Sequence, residues 1–232
     1  MLLALTLWMI REYKLAGNRK EFLKRINHRF SFKGIGKVGV LLAIHFFPLA
    51  IEAQDQKLSY QVIRNGDVIG HMSFQQLKQG CSTHLWVESE VKARFILLLI
   101  ILAKEETIYS NGILVFSSIN RKLNGKEKAN IQMKLDGNTY RVNNKGSIEQ
   151  FNTYPIRFNL LSMYGTEPTQ INRAYADNYS EFVPVVKTGA NRYKVTLPDG
   201  NYNNYFYQDG ICTRVEVHNS MYSLQLVLIG KS

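Results

Sequence analysis

At 232 residues the chain can build one domain with a sizeable core, and 45% hydrophobic with 20% charged residues is ordinary for a globular protein. The formal net charge is +11, but nine Lys/Arg against three acids fall in residues 1–53, and the remaining 20 against 15 are scattered. No basic stripe forms, so a nucleic-acid partner is not expected.

In chain order, Met1–Ile10 is apolar and is followed by the charged Arg11-Glu12-Tyr13-Lys14. Lys24, Arg25, Arg29, Lys33 and Lys37 then precede an apolar run over residues 38–51. A basic region, an apolar region and a small residue before a polar start make a secretory signal peptide, which places cleavage after Ala53. Fourteen apolar residues containing His45 and Pro48 fall short of the roughly 18 that a membrane-spanning helix needs. Residues 1–23 fit this signal poorly. They are either a long basic region or lie before the true translation start. The expected layout is an extension with signal peptide over 1–53 and a single β-rich domain over 54–232, with no spanning segment in the mature part.

Six Asn-Gly or Asp-Gly pairs punctuate that domain: Asn65-Gly66, Asn111-Gly112, Asn124-Gly125, Asp136-Gly137, Asp199-Gly200 and Asp209-Gly210. Type I′ hairpin turns need positive φ at both central residues, which Asn or Asp tolerates and Gly adopts freely. Between these pairs lie strand-like runs at 57–64, 68–77, 83–93, 104–110, 113–123, 126–135 and 138–142. Gly70 inside one of them marks a bulge or a close backbone approach. The run 95–103 is continuously apolar and reads either as a strand or short helical turn buried on both faces, or as the wall of an apolar groove. Residues 154–164 suit one or two helical turns, and 154–181 is the longest stretch without a hairpin signal, which makes it a place to look for function. Strands at 182–186, 193–197, 202–208, 213–218 and 222–228 close the chain. The fold expected is mainly β: an antiparallel meander forming a curved sheet or partly open barrel, with one short helical element.

The order and spacing of Tyr60, Asn65-Gly66, Ile69-Gly70, Tyr109-Ser-Asn-Gly-Ile-Leu114, Asn124-Gly125, Met163-Tyr164, Glu167-Pro168, Leu197-Pro-Asp-Gly200, Tyr205 and Tyr207-Gln-Asp-Gly210 resembles an uncharacterised exported bacterial family of Bacteroidota type, domain of unknown function 6134. The resemblance spans roughly residues 57–229. It implies a periplasmic or surface β-sheet domain, distantly like the half-barrel sheets of periplasmic lipoprotein carriers in fold alone, and it carries over no site residues.

Chemistry-bearing patterns are few. His71, His84 and His218 stand far apart, and Cys81 with His84 lacks the second pair that a zinc site requires. Neither a cofactor nor a catalytic residue is indicated. Glu88 and Glu90 share a strand face with Lys92 and read as a solvated stripe; Glu105 and Glu106 are the other close carboxylates. Cys81 and Cys212 are either a disulfide of an oxidising compartment or two separate thiols. Tyr202, Tyr205, Phe206 and Tyr207 cluster, and Tyr154, Tyr164, Tyr175 and Tyr179 decorate the long connection. Two expectations follow for function. One is a non-catalytic exported protein holding a lipid-like, apolar or amphipathic ligand on a concave face that includes Phe95, Leu97, Leu99 and Ile101. The other is an envelope module that contacts a protein partner through Tyr164, Tyr175, Tyr205 and Tyr207.

Overall fold

The turns set the architecture. In the computed structural model, which describes residues 54–94, 98–153, 155–219 and 222–232, Asn111 and Gly112 take φ of +51° and +70°, the left-handed pair of a type I′ hairpin. Asn65-Gly66, Asn124-Gly125 and Asp209-Gly210 do the same. The other two pairs turn differently. Asp136 ends its strand opposite Thr139, so the turn is Gly137-Asn138 with the left-handed glycine first, as in type II′ turns. At 197–200 the Gly200 N–H donates to the Leu197 carbonyl at 3.0 Å, with Pro198 in the position where its fixed φ favours a turn. The expected signal segment 1–53 and its cleavage point lie outside the described residues, as do Phe95 and Leu97.

Among the described residues fourteen strands result: β1 (Gln54–Arg64), β2 (Asp67–Gln79), β3 (Ser82–Arg94), β4 (Leu98–Ser110), β5 (Ile113–Leu123), β6 (Lys126–Asp136), β7 (Thr139–Asn144), β8 (Ser147–Asn152), β9 (Arg173–Ala176), β10 (Glu181–Gly189), β11 (Arg192–Thr196), β12 (Tyr202–Gln208), β13 (Ile211–His218) and β14 (Ser223–Lys231). They form one antiparallel sheet in the order β8-β7-β6-β5-β4-β3-β2-β1-β14-β13-β12-β11-β10-β9. Every neighbour is a sequence neighbour except at the centre, where β1 pairs with β14 from Leu58–Lys231 to Ile63–Gln225. The meander is therefore a ring of strands opened between β8 and β9. Six register shifts interrupt the ladders, and bulges of this kind bend and coil a sheet. One lies beside Gly70, which faces Val91; a Cβ there would stand 2.2 Å from the Glu90 carbonyl oxygen. Gly70 thus marks both a bulge and a close approach.

Strand alternation sends one face inward. Leu58, Tyr60, Phe74, Leu85, Leu114, Tyr140, Tyr193, Val195 and Val215 are all buried there. The connection between the two sheet edges folds back into this concave interior. Its helical element among the described residues is a 3-10 turn, Leu160–Met163, capped by the Asn159 side chain. The segment is fastened to both arms: Leu114 N donates to Ile156 O (2.8 Å), Cys212 N to Tyr164 O (3.2 Å) and Glu167 N to Gly210 O (3.0 Å). Ile156 and Met163 are fully buried by it. At the opening, Tyr175 N of β9 donates to Phe158 O at 2.9 Å, and the Phe151 ring of β8 stacks 6.3 Å from that of Tyr175.

The apolar run departs from the buried-on-both-faces expectation. From Leu98 it is strand, but Leu99 and Ile101 are half-buried on the inner face and Leu102 is 41% exposed on the outer one.

Candidate functional site: the open end of the sheet interior

Along β4 the inward residues are Leu99, Ile101, Ala103, Glu105, Thr107 and Tyr109, as their register opposite inward residues of β3 and β5 shows. This one face changes character along its length. Thr107 and Tyr109, with Ser117 and Ile119 of β5, are buried at the level that the connection occupies. Further along, Leu99, Ile101, Val91 of β3 and Leu123 of β5 point inward yet remain half-buried. Among the described residues the interior is therefore filled at one end and only partly covered at the other.

A polar layer separates the two levels. Glu105 and Arg121 meet diagonally across β4 and β5, and the guanidinium donates through Nε (3.2 Å) and Nη2 (2.5 Å) to the same carboxylate oxygen, Oε1. The carboxylate of Glu105 is the main reason the Arg121 pKa lies above its usual value. Beneath the connection, Asn159 Nδ2 donates to Thr107 Oγ1 and to Asp177 Oδ2, both at 2.9 Å. Burial lifts the Asp177 carboxyl to about 6, tempered by the nearby Ser117 hydroxyl and by the hydrogen bond from Asn159. Tyr164 and Tyr205 lie near Glu105, and burial first, then neighbouring groups including that carboxylate, push their hydroxyl pKa values up. The layer offers one charge pair reachable from the open end, within an otherwise apolar and aromatic wall. Such a lining, apolar with a few placed polar groups, is what small-molecule sites show.

Of the expected apolar face, Leu99 and Ile101 fall on the wall of the open end. The aromatic contact surface does not form. Tyr175, Tyr205 and Tyr207 are 1%, 2% and 6% exposed, and partly buried Tyr164 packs edge-on against Tyr60 and Tyr205 at 5.8 and 6.3 Å. The Tyr207 hydroxyl donates to Met163 O at 2.7 Å. Alternation explains the difference: 205 and 207 share the inward face, whereas 202 and 206 point outward. There Arg214 lies 4.0 Å over the Phe206 ring and Lys194 lies 4.0 Å over that of Tyr202.

Apart from Glu105 and the buried Cys212, the other singled-out groups sit outside the interior. Glu88 and Glu90 pair with Lys104 and Lys92 at 2.7 Å, all more than half exposed. Glu105 and Glu106 fall on opposite faces, the latter 2.7 Å from His84. Those outer charges rim a shallow depression of about 540 Å³ lined by His71, Glu88, Leu102, Lys104 and Ile229. His218 stacks on Tyr202 at 4.5 Å. Cys81 is exposed and Cys212 buried, both free thiols. Among the described residues, no group of three or more His, Cys, Asp or Glu is arranged to hold a metal ion, and no helix is long and apolar enough to cross a membrane.

Sequence reasoning missed Arg121, Asn159 and Asp177. For Arg121 a signal existed: it alternates with Ile119 and Leu123, just as Glu105 alternates with Ile101, Ala103 and Thr107. Charges in phase with apolar residues mark a polar group on an inner face.

The family described as Domain of unknown function (DUF6134) matches residues 60–229. In structure the chain is similar to the crystal structure of a beta-barrel-like protein of domain of unknown function DUF1849 from Brucella abortus, with a TM-score of 0.52 and 12% identity over 77% of this chain and 97% of that one. At that identity the likeness concerns the fold alone. A comparison with curated proteins gives no match.

Proposed function

The chain belongs to the DUF6134 family, a domain of unknown function with a β-barrel-like fold, and we propose that it is an exported, non-catalytic protein that binds an amphipathic ligand in the open end of its interior. One observation carries the proposal: Leu99, Ile101 and Leu123 face the concave side and are left half-buried. Completing the burial of an aliphatic side chain is worth on the order of 1 kcal/mol each, so an apolar chain lying against them would gain several kcal/mol. The reachable ionisable groups, Glu105 and Arg121, are bonded to each other, which suits recognition better than proton transfer. Export rests on the signal-like pattern over residues 24–53.

The test is titration with N-phenyl-1-naphthylamine, a dye that brightens in apolar surroundings, followed by displacement with alkyl ligands. Ile101→Glu should weaken dye binding at least tenfold. Leu102→Glu, one residue away on the outer face, should leave it within twofold. No dye binding, or equal loss in both variants, contradicts the proposal.

A further inference from the structure

We infer that the ligand's polar group is an oxyanion, a carboxylate or a phosphate ester, held by the unoccupied edge of the Arg121 guanidinium; this rests on the interior-binding reading above. A guanidinium carries five N–H donors in a rigid fork and can take oxygens on two edges, one formed by Nε and Nη2, the other by Nη1 and Nη2. Glu105 occupies the first edge, and with a single oxygen. Among the described residues no hydrogen-bond acceptor lies on Nη1. The second edge is thus free, and it is the edge suited to a bidentate oxyanion.

The surroundings leave room for such a group. Directly opposite Arg121 stand Ala103 on β4 and Ala129 on β6, each presenting only a methyl group. The register shift between β5 and β6 falls immediately beyond Arg121, and bulges commonly re-aim a neighbouring side chain. Although it faces inward, Arg121 is 39% exposed, so the solvent of the open end reaches it. From Ala103 the same face continues through Ile101 to Leu99, about 13 Å of apolar wall at the usual rise per residue. A head group at Arg121 would lay its alkyl chain along that wall.

The nearby carboxylates do not make a cation the better match. Glu105 is already engaged by Arg121, and Asp177 is turned toward Asn159 beneath the connection. Bound in this way, the guanidinium would bridge the ligand's oxyanion and Glu105. Arg121 is therefore a specificity residue, and the apolar wall supplies affinity whatever the head group.

The experiment measures binding of four ligands with one tail to the full-length protein by calorimetry: tetradecanoate, tetradecyl phosphate, 1-tetradecanol and tetradecyltrimethylammonium. At least one of the anions should bind ten times or more tighter than the alcohol and the ammonium, and the tighter anion identifies a carboxylate or a phosphate as the natural group. Arg121→Gln should abolish that preference while leaving the alcohol's affinity within twofold. Alcohol or ammonium binding as tightly as both anions overturns the inference and leaves the ligand reading standing. Failure of all four to bind removes that reading itself. The wild-type ranking decides between these outcomes even if the variant does not fold.

Discussion

Asn159 uses nearly every polar atom it has. Its N–H donates to the Tyr109 hydroxyl at 3.0 Å, its Oδ1 accepts from Ser162 N at 3.2 Å and from the Tyr109 hydroxyl at 3.0 Å, and its Nδ2 serves Thr107 and Asp177. A fully buried amide needs such partners, because an unsatisfied one costs about 1–3 kcal/mol. Nothing local in the sequence announces this network, since Thr107 and Tyr109 lie 52 and 50 residues from Asn159 and Asp177 lies 18 away. The network also has a pH signature. The Asp177 carboxyl titrates at about 6 in the fold against an ordinary 3.8, so between those values the native state holds a proton that the unfolded chain has lost. The group therefore contributes stability at acid pH that disappears as pH rises through 6. Asparagine imitates the protonated form. Asp177→Asn should melt higher than wild type at pH 7.5, and the gap should close by pH 4.5; a gap that does not change with pH would show that Asp177 is not desolvated as described.

At the scale of elements, the hairpins were legible because their turns are chemically specified. Asn111-Gly112 holds β4 and β5 in register while the connection passes close by, with Arg157 Nη1 3.7 Å from where a Gly112 Cβ would stand. A β-branched residue resists φ of +70°, so Gly112→Val should lose about 2 kcal/mol, roughly 4–8 °C in melting temperature for a domain of this size. An unchanged melting temperature would contradict the turn. Two strands were not legible. β8 is exposed at all but one position, so it lacks the alternation that marks a half-buried strand. β9 is four residues long and three of them are buried, so it gives no alternation either. The apolar run failed for the opposite reason. Continuous hydrophobicity suggests burial on both faces, yet only the packed structure reveals that Leu102 is exposed and that Leu99 and Ile101 are half covered.

For the whole molecule, the decisive contact is the least local one. Pairing of β1 with β14 joins two meandering arms into a single sheet and leaves the openings at β8 and β9. No turn encodes that pairing, so a sequence reading reaches "curved sheet or partly open barrel" and cannot say where the barrel opens. Nor can it say that the 155–172 connection occupies the interior and draws Tyr205, Tyr207 and Met163 into a core with it. What the connection leaves uncovered is the wall of Leu99, Ile101 and Leu123 above the Glu105–Arg121 pair, and the functional account depends on that wall.

Methyl nuclear magnetic resonance reads it most directly, because β4 carries isoleucine and leucine methyls alternately on its two faces. On titration with tetradecanoate, the account predicts shifts at Leu99, Ile101, Leu123 and Val91 that saturate together, with Ile100, Leu102 and Ile229 on the outer face unmoved. Shifts confined to the outer-face methyls, or absent from both faces at millimolar ligand, would contradict it.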